Sequence, residues 1–265
     1  MLYEKIRFDE NDNDAFLETF VAEKVKGFVR KAILVIPGGG YGEVCAEREG
    51  EPIAMAFMPY GYNAFVLHYS VKKEPFPSHL IQASKAIKHI KDNAEKYDID
   101  AENLFVVGFS AGGHLAASIG TMWNKKEIYD KVDMPYGYNK PKGMMLIYPV
   151  ISAYYHDFSF NALLMDENPS DEKKRMCSIE TNVSEDTCPA FIMHTANDQV
   201  VDVKNSLVLA SALKDNGIKF EMHIYPDAPH GVALGNEITK CGVEKWCNES
   251  IAEWVKNAVE WAKAL

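Results

Sequence analysis

Three residue types that together can activate a hydroxyl group occur in this 265-residue chain: Ser110, Asp198 and His230. Ser110 lies in "NLFVVGFSAGGHLAASIG", residues 103–120, between Gly108 and Gly112 in a G-x-S-x-G pattern. An apolar strand pattern runs into it and an apolar helix pattern leaves it, which is the context this motif requires. So tight a turn leaves no room for side chains on its flanks. The free N–H groups of a helix start would favour negative charge beside the serine. Serine is also a favoured helix N-cap, but capping needs no glycine on both sides.

A serine hydroxyl is a poor nucleophile until a base takes its proton. Of the eight histidines, His68, His194 and His223 fall in strand-like segments, where a satisfied structural imidazole is expected. His79 and His89 fall on what reads as a surface helix, and His114 should pack beneath the loops. His156 sits in an irregular stretch and is a weak rival. His230 stands in "YPDAPHGVAL", a Pro/Gly-rich loop just after the last strand. It is the expected base. "FIMHTANDQVVDV" offers two acids to orient it. Asp198 follows the strand directly, whereas Asp202 begins the next helix, where Asp is a favoured cap. Asp198 is therefore the expected acid, holding the right tautomer and stabilising the imidazolium. Oxyanion donors must be N–H groups already aimed at the developing charge. Ala111, after the serine, should supply one, and "PGGGY", residues 37–41, the others, with Gly39 and Gly40 favoured. No G-K-[ST] follows those glycines, so they do not read as a phosphate loop.

The elements that must position these residues alternate. Strands are expected at "DAFLETFVAEKV" (antiparallel), "KAILVIPGGGYG", "YNAFVLHYSV", 104–109, "KGMMLIYPVI", "PAFIMHTAND" and "KFEMHIYPDAPHG". Helices are expected over 77–97, from 111, over "VKNSLVLASALKDNG", and at the C-terminus, where Ile251, Trp254, Val255, Ala258 and Trp261 share a face. Several strands are apolar without interruption, which predicts an α/β fold with a mainly parallel sheet covered by helices on both faces. The polar stretch from about 152 to 188 has too few periodic apolar residues for its own domain and reads as an insertion or small cap. One domain over 1–265 is expected.

Composition bounds the function. A net charge of −10 argues against nucleic acid, whose phosphates are bound by clustered Lys and Arg. No apolar run is long enough to span a bilayer and the first residues do not read as a secretory signal, so no membrane partner and a cytoplasmic location are expected. Cys45, Cys177, Cys188, Cys241 and Cys247 form no CxxC pair and have no His partner set, and are read as reduced thiols rather than metal ligands.

The strand–"GFSAGGHLAA"–helix unit resembles the nucleophile elbow of the α/β-hydrolases. "VIPGGGYGEVCAEREGEPIA" and "TCPAFIMHTANDQVVDVKNSLVLASALKDNGIKFEMHIYPDAPHG" resemble a narrower branch, the small carbohydrate esterases related to acetylxylan esterases and acetyl esterases. The likeness spans about residues 32–235 in order. It implies the chain order Ser…Asp…His, which a late histidine such as His230 satisfies. It also implies an acyl-enzyme mechanism without cofactor or metal, and a short acyl group, acetyl above all, on a sugar or xylo-oligosaccharide. Many lipase relatives carry His-Gly-Gly-Gly where this chain has Pro37 before its glycines, which points away from lipases. Tyr41 and Val201 are the expected walls of the acyl pocket. The same triad could cut an amide, as in a peptidase or an arylformamidase; a non-catalytic hydrolase-like binding protein is the alternative of another class.

Overall fold

The computed structural model describes residues 1–8 and 15–265. Among them the strands are β1 (Lys5–Arg7), β2 (Phe16–Phe20), β3 (Arg30–Ile36), β4 (Tyr62–His68), β5 (Ile99–Phe109), β6 (Gly143–Ile147), β7 (Ala190–Thr195) and β8 (Phe220–Tyr225). They form one sheet in the order β1-β2-β4-β3-β5-β6-β7-β8. β2 runs antiparallel to both β1 and β4; from β4 onward every neighbouring pair is parallel. The helices are α1 (Ala46–Glu49), α2 (Glu51–Phe57), α3 (Ser78–Asp92), α4 (Ala94–Tyr97), α5 (Ser110–Met122), α6 (Lys126–Tyr129), α7 (Asp157–Leu164), α8 (Asp171–Cys177), α9 (Lys204–Asp215), α10 (Glu249–Ala252) and α11 (Trp254–Lys263).

The uninterrupted apolar strands follow from burial on both faces. Along β3, Ala32, Leu34 and Ile36 join one core with Leu80, Ala83 and Ile87 of α3, Leu115 and Ile119 of α5, and Leu209 and Leu213 of α9. Ile33 and Val35 point the other way, into a second core with Ile53 and Phe57 of α2 and Trp254, Ala258 and Trp261 of α11. Each strand interior therefore needs apolar side chains at both parities. All of α5 is buried, so that helix shows no polar face in sequence. The C-terminal face expected to be apolar is buried at all five positions, although the helix is interrupted at Glu253.

The differences from the sequence reading are local. The 14–25 strand is confined to β2, and Asp14, where it was expected to begin, lies outside the described residues. β1 has only three residues with an exposed–intermediate–exposed pattern, so it left no apolar signal. α1 and α2, just after the glycine run, were not expected. Between 152 and 188 lie α7, α8 and a 3-10 turn at Ile179–Thr181. His79, read as a surface residue, is 2% exposed at the first turn of α3, where its ring packs edge-on against Tyr41 and Tyr69. No helix among the described residues is long and apolar enough to cross a membrane.

Candidate active site

The carboxyl ends of β3, β5, β7 and β8 converge on one edge of the sheet, where ligands of parallel sheets bind. β5 ends at Phe109 in extended backbone, and Ser110 follows at φ 50°, a left-handed conformation costly for a residue with a side chain. The flanking glycines are required. A Cβ on Gly108 would come 2.2 Å from the carbonyl oxygen of Gly112, and one on Gly112 would come 2.2 Å from the carbonyl oxygen of Ile36. The helix α5 has no side-chain cap, so Ser110 does not serve as one.

The Ser110 hydroxyl lies 2.9 Å from Nε2 of His230, and Nδ1 of His230 lies 2.7 Å from Oδ2 of Asp198. An ionised Asp198 can only accept at Nδ1–H, which leaves Nε2 as the acceptor facing the serine. Burial works to raise the Asp198 pKa. Hydrogen bonds from His194 and His230, the charge of His230 and the N–H of Val201 outweigh it, and the carboxyl is held well below the ordinary range. Its Oδ1 accepts the N–H groups of Val200 and Val201 at 2.9 and 3.0 Å. Behind it, His194 is fully buried with Nε2 3.4 Å from Oδ2; this nitrogen donates to the Val201 carbonyl at 3.0 Å while Nδ1 accepts from Ser206. Asp202 lies just ahead of α9 and accepts the N–H of Lys204 at 2.8 Å, but the helix starts from Val203 without a side-chain cap, so the expected capping role is not realised; what separates the two acids is the bond of Asp198 to His230.

The glycine loop after β3 is bent by positive φ at Gly39 (125°), Gly40 (64°) and Tyr41 (59°). Gly38 commits its N–H to Oε2 of Glu49 at 2.8 Å. The N–H groups of Gly39 and Gly40 donate to nothing among the described residues, and Ala111 stands in the first turn of α5, where N–H groups lack intrahelical acceptors. Tyr41 and Val201, expected around the acyl group, both point inward. Tyr41 is 1% exposed and its hydroxyl donates to Nδ1 of His114 at 2.7 Å, because His114 uses Nε2–H on the Cys177 carbonyl. Burial pushes the His114 pKa down to about 4, consistent with a neutral structural ring. Val201 is fully buried and meets the site through its backbone, whereas Val200 beside it is exposed.

Two residues of the 152–188 stretch also reach the site. Phe158, the second residue of α7, is 71% exposed and its ring edge lies against Gly40, whose φ of 64° is what favours glycine there. His156 is half-buried beside the Val200 backbone; burial first, and then the nearby His230, hold its pKa down. It does not touch Ser110. The five cysteines are free thiols, and no group of three or more His, Cys, Asp or Glu among the described residues could hold a metal ion.

Comparison with known proteins places this geometry in context. The BD-FAE family model matches residues 17–213, and the dienelactone hydrolase family model matches residues 172–261. Endo-1,4-beta-xylanase B of Butyrivibrio fibrisolvens is 39% identical over 220 residues, covering 78% of this chain and 33% of that protein. The acetylxylan esterase of Xylanibacter ruminicola is 29% identical over 231 residues, covering 85% of this chain and 45% of that protein. The chain thus spans less than half the length of these two curated relatives. Among solved structures, the acetyl ester-xyloside bifunctional hydrolase from Caldicellulosiruptor lactoaceticus is 33% identical with a TM-score of 0.82, covering 98% of this chain and 96% of that one. The carboxylesterase Cest-2923 from Lactobacillus plantarum is 25% identical with a TM-score of 0.87, covering 100% and 98%.

Proposed function

The chain belongs to the BD-FAE family and has the α/β-hydrolase fold, and from that premise we propose that it is a serine carboxylesterase that removes acetyl groups from sugars or xylo-oligosaccharides. The observation that carries the reading is the continuous path from the Ser110 hydroxyl through His230 to Asp198, at 2.9 and 2.7 Å. Ser110 Oγ attacks the ester carbonyl carbon as Nε2 of His230 takes its proton, and Asp198 stabilises the imidazolium without taking the proton itself. The N–H groups of Gly39, Gly40 and Ala111 receive the oxyanion. The carbonyl re-forms, the C–O bond to the sugar breaks, and His230 returns the proton to the leaving alcohol oxygen. Water then cleaves the acyl-enzyme by the same path and frees acetate.

The acyl specificity rests on the named relatives, among them an acetylxylan esterase and an acetyl ester-xyloside hydrolase, and on the cover of the site. The 152–188 stretch acts as a small cap that sets one aromatic ring, Phe158, over the glycine loop rather than a long apolar lid. Hydrolysis of p-nitrophenyl esters from acetate to octanoate, followed by acetylated xylo-oligosaccharides, tests the reading. Rates should be highest on acetate, and Ser110→Ala should lower kcat by roughly 10⁴ to 10⁶. No turnover of any ester, or full activity in the variant, would refute it.

A further inference from the structure

Behind the reacting groups lies a carboxylate that the mechanism above does not use. Glu49, the last residue of α1, is 2% exposed. Its Oε2 accepts the N–H of Gly38 at 2.8 Å, and its Oε1 accepts the hydroxyl of Tyr148 at 2.9 Å. The Tyr148 oxygen in turn accepts the N–H of Ala233 at 3.0 Å. That bond fixes the direction of the tyrosine proton: it points to Glu49. Both carboxylate oxygens therefore face donors, the arrangement an ionised carboxylate satisfies. The Arg48 guanidinium stands 3.7 Å away. Burial raises the Glu49 pKa, against the opposing pull of Arg48, the Gly38 N–H, Tyr148 and His230.

The donors come from two different loops. Gly38 opens the glycine loop and lies against the nucleophile, since a Cβ there would meet Ser110 Cβ at 3.0 Å and Glu49 Oε2 at 2.9 Å. Ala233 stands three residues beyond His230, and the Tyr148 ring packs edge-on against the His230 ring with centroids 5.0 Å apart. Tyr148 and Ala233 have φ of 38° and 49°, so strained backbone on both sides of the Tyr148–Ala233 bond is held in place there. A second clamp grips the same histidine loop from outside: Trp246 donates to the His230 carbonyl at 3.0 Å, and Arg48 lies over the Trp246 ring at 4.3 Å.

We propose that Glu49 is a positioning residue that, through Gly38 and Tyr148, ties the oxyanion loop and the His230 loop into one rigid frame around Ser110. The inference rests on the esterase reading, since it assigns Glu49 its effect through the oxyanion donors of Gly39 and Gly40. A buried polar contact of this kind acts on rate more than on substrate affinity. Removing an oxyanion donor costs roughly 10² to 10³ in kcat, and a misplacement near 1 Å about 10².

The test is steady-state kinetics on p-nitrophenyl acetate with Glu49→Gln and Tyr148→Phe, alongside the double variant and thermal unfolding by circular dichroism. Glutamine keeps the volume but has one acceptor for two donors. In Glu49→Gln, kcat should fall about 10²-fold with KM changed less than about 3-fold; Tyr148→Phe, which keeps its ring against His230, should lose about 10-fold in kcat. The double variant should lose clearly less than the product of the two, since both break one connection. Kinetic constants within about 3-fold of the parent in folded Glu49→Gln would overturn the proposal, as would losses that multiply. If Glu49→Gln does not unfold cooperatively, Tyr148→Phe decides, an unchanged kcat refuting it. Parent protein that cleaves no ester would instead sink the esterase reading and leave these comparisons to be made on whatever amide it does cleave, with the same outcomes expected.

Discussion

Replacing Asp198 with asparagine changes a proton rather than a shape, and the geometry dictates which one. Oδ1 of Asp198 accepts two backbone N–H groups, from Val200 and Val201. The asparagine oxygen must take that position, because an amide NH₂ there would face two donors. The NH₂ group is then placed where Oδ2 stood, 2.7 Å from Nδ1 of His230. A donor at that distance forces Nδ1 to be the acceptor, and the neutral ring carries its proton on Nε2, pointing at Ser110. The serine then has no base. For a triad aspartate changed to asparagine the loss in kcat is about 10⁴, equivalent to roughly 5.5 kcal/mol of transition-state stabilisation. KM should move little, since Asp198 lies behind His230 and touches no substrate. The buried NH₂ would also meet the Nε2–H of His194, 3.4 Å from Oδ2 in the parent, adding a stability cost of about 1–3 kcal/mol. The assay is p-nitrophenyl acetate turnover, with the unfolding midpoint confirming that the variant is folded. A folded Asp198→Asn protein with kcat within about tenfold of the parent would refute the tautomer reasoning.

Phe158→Ala should separate sugar esters from small ones. The exposed ring over Gly40 offers an apolar face to a pyranose, so KM for an acetylated xylo-oligosaccharide should rise by about 3- to 10-fold, in line with about 1 kcal/mol for one aromatic contact, while kcat on p-nitrophenyl acetate stays within about 2-fold; equal KM values in variant and parent would remove Phe158 from substrate recognition. Far from the site, Glu18 is opposed by burial but held down to a pKa of about 2 by hydrogen bonds from Lys5, Tyr3 and His68. Its folded pKa lies below the unfolded value near 4.3, so its contribution is present above about pH 4 and is lost as pH falls toward 2. Glu18→Gln should lower the unfolding midpoint at pH 7 by a few degrees, for roughly 1 kcal/mol after screening, and the gap should close by pH 2. A gap that persists at pH 2 would show that the effect is packing, not charge.

How much of this was legible in the sequence depended on whether a local signal existed. Ser110 was marked by its glycines, and the contacts that a Cβ would make at 108 and 112 show why no other residue fits. His230 and Asp198 were marked by their place after strands, and Asp202 was set aside on an expected capping role that α9, which starts from Val203 without a side-chain cap, does not use. Tyr41 was placed on the right loop but on the wrong side of it. Its direction is set by φ of 59°, which no residue pattern announces, and which turns the ring into the core against His114. Val201 was expected at the pocket wall, and its side chain is buried. His79 looked exposed because a helix with charged residues around it reads as a surface; burial at its first turn is a tertiary fact.

Glu49 had no signal at all, and the reason is physical. In "CAEREGEP" it is one of three acids within five residues, and such a run ordinarily describes a solvated face. What distinguishes it from Glu47 and Glu51 is only that α1 and α2, separated by Gly50, turn its side chain inward toward Gly38. Four of the eight non-glycine residues with positive φ among the described residues, Tyr41, Ser110, Tyr148 and Ala233, lie in the loops that meet around Ser110. Each such conformation costs of order 1 kcal/mol or more and persists only where the surroundings over-determine it. The strain and the buried carboxylate are therefore two aspects of one arrangement. The loops are bent so that N–H groups and the imidazole face Ser110, and the buried carboxyl group of Glu49, bonded through both oxygens, spans them. A sequence reading that ranks residues by their own chemistry finds the proposed nucleophile, base and acid, but the residue proposed to fix their mutual geometry is identified only by what donates to it.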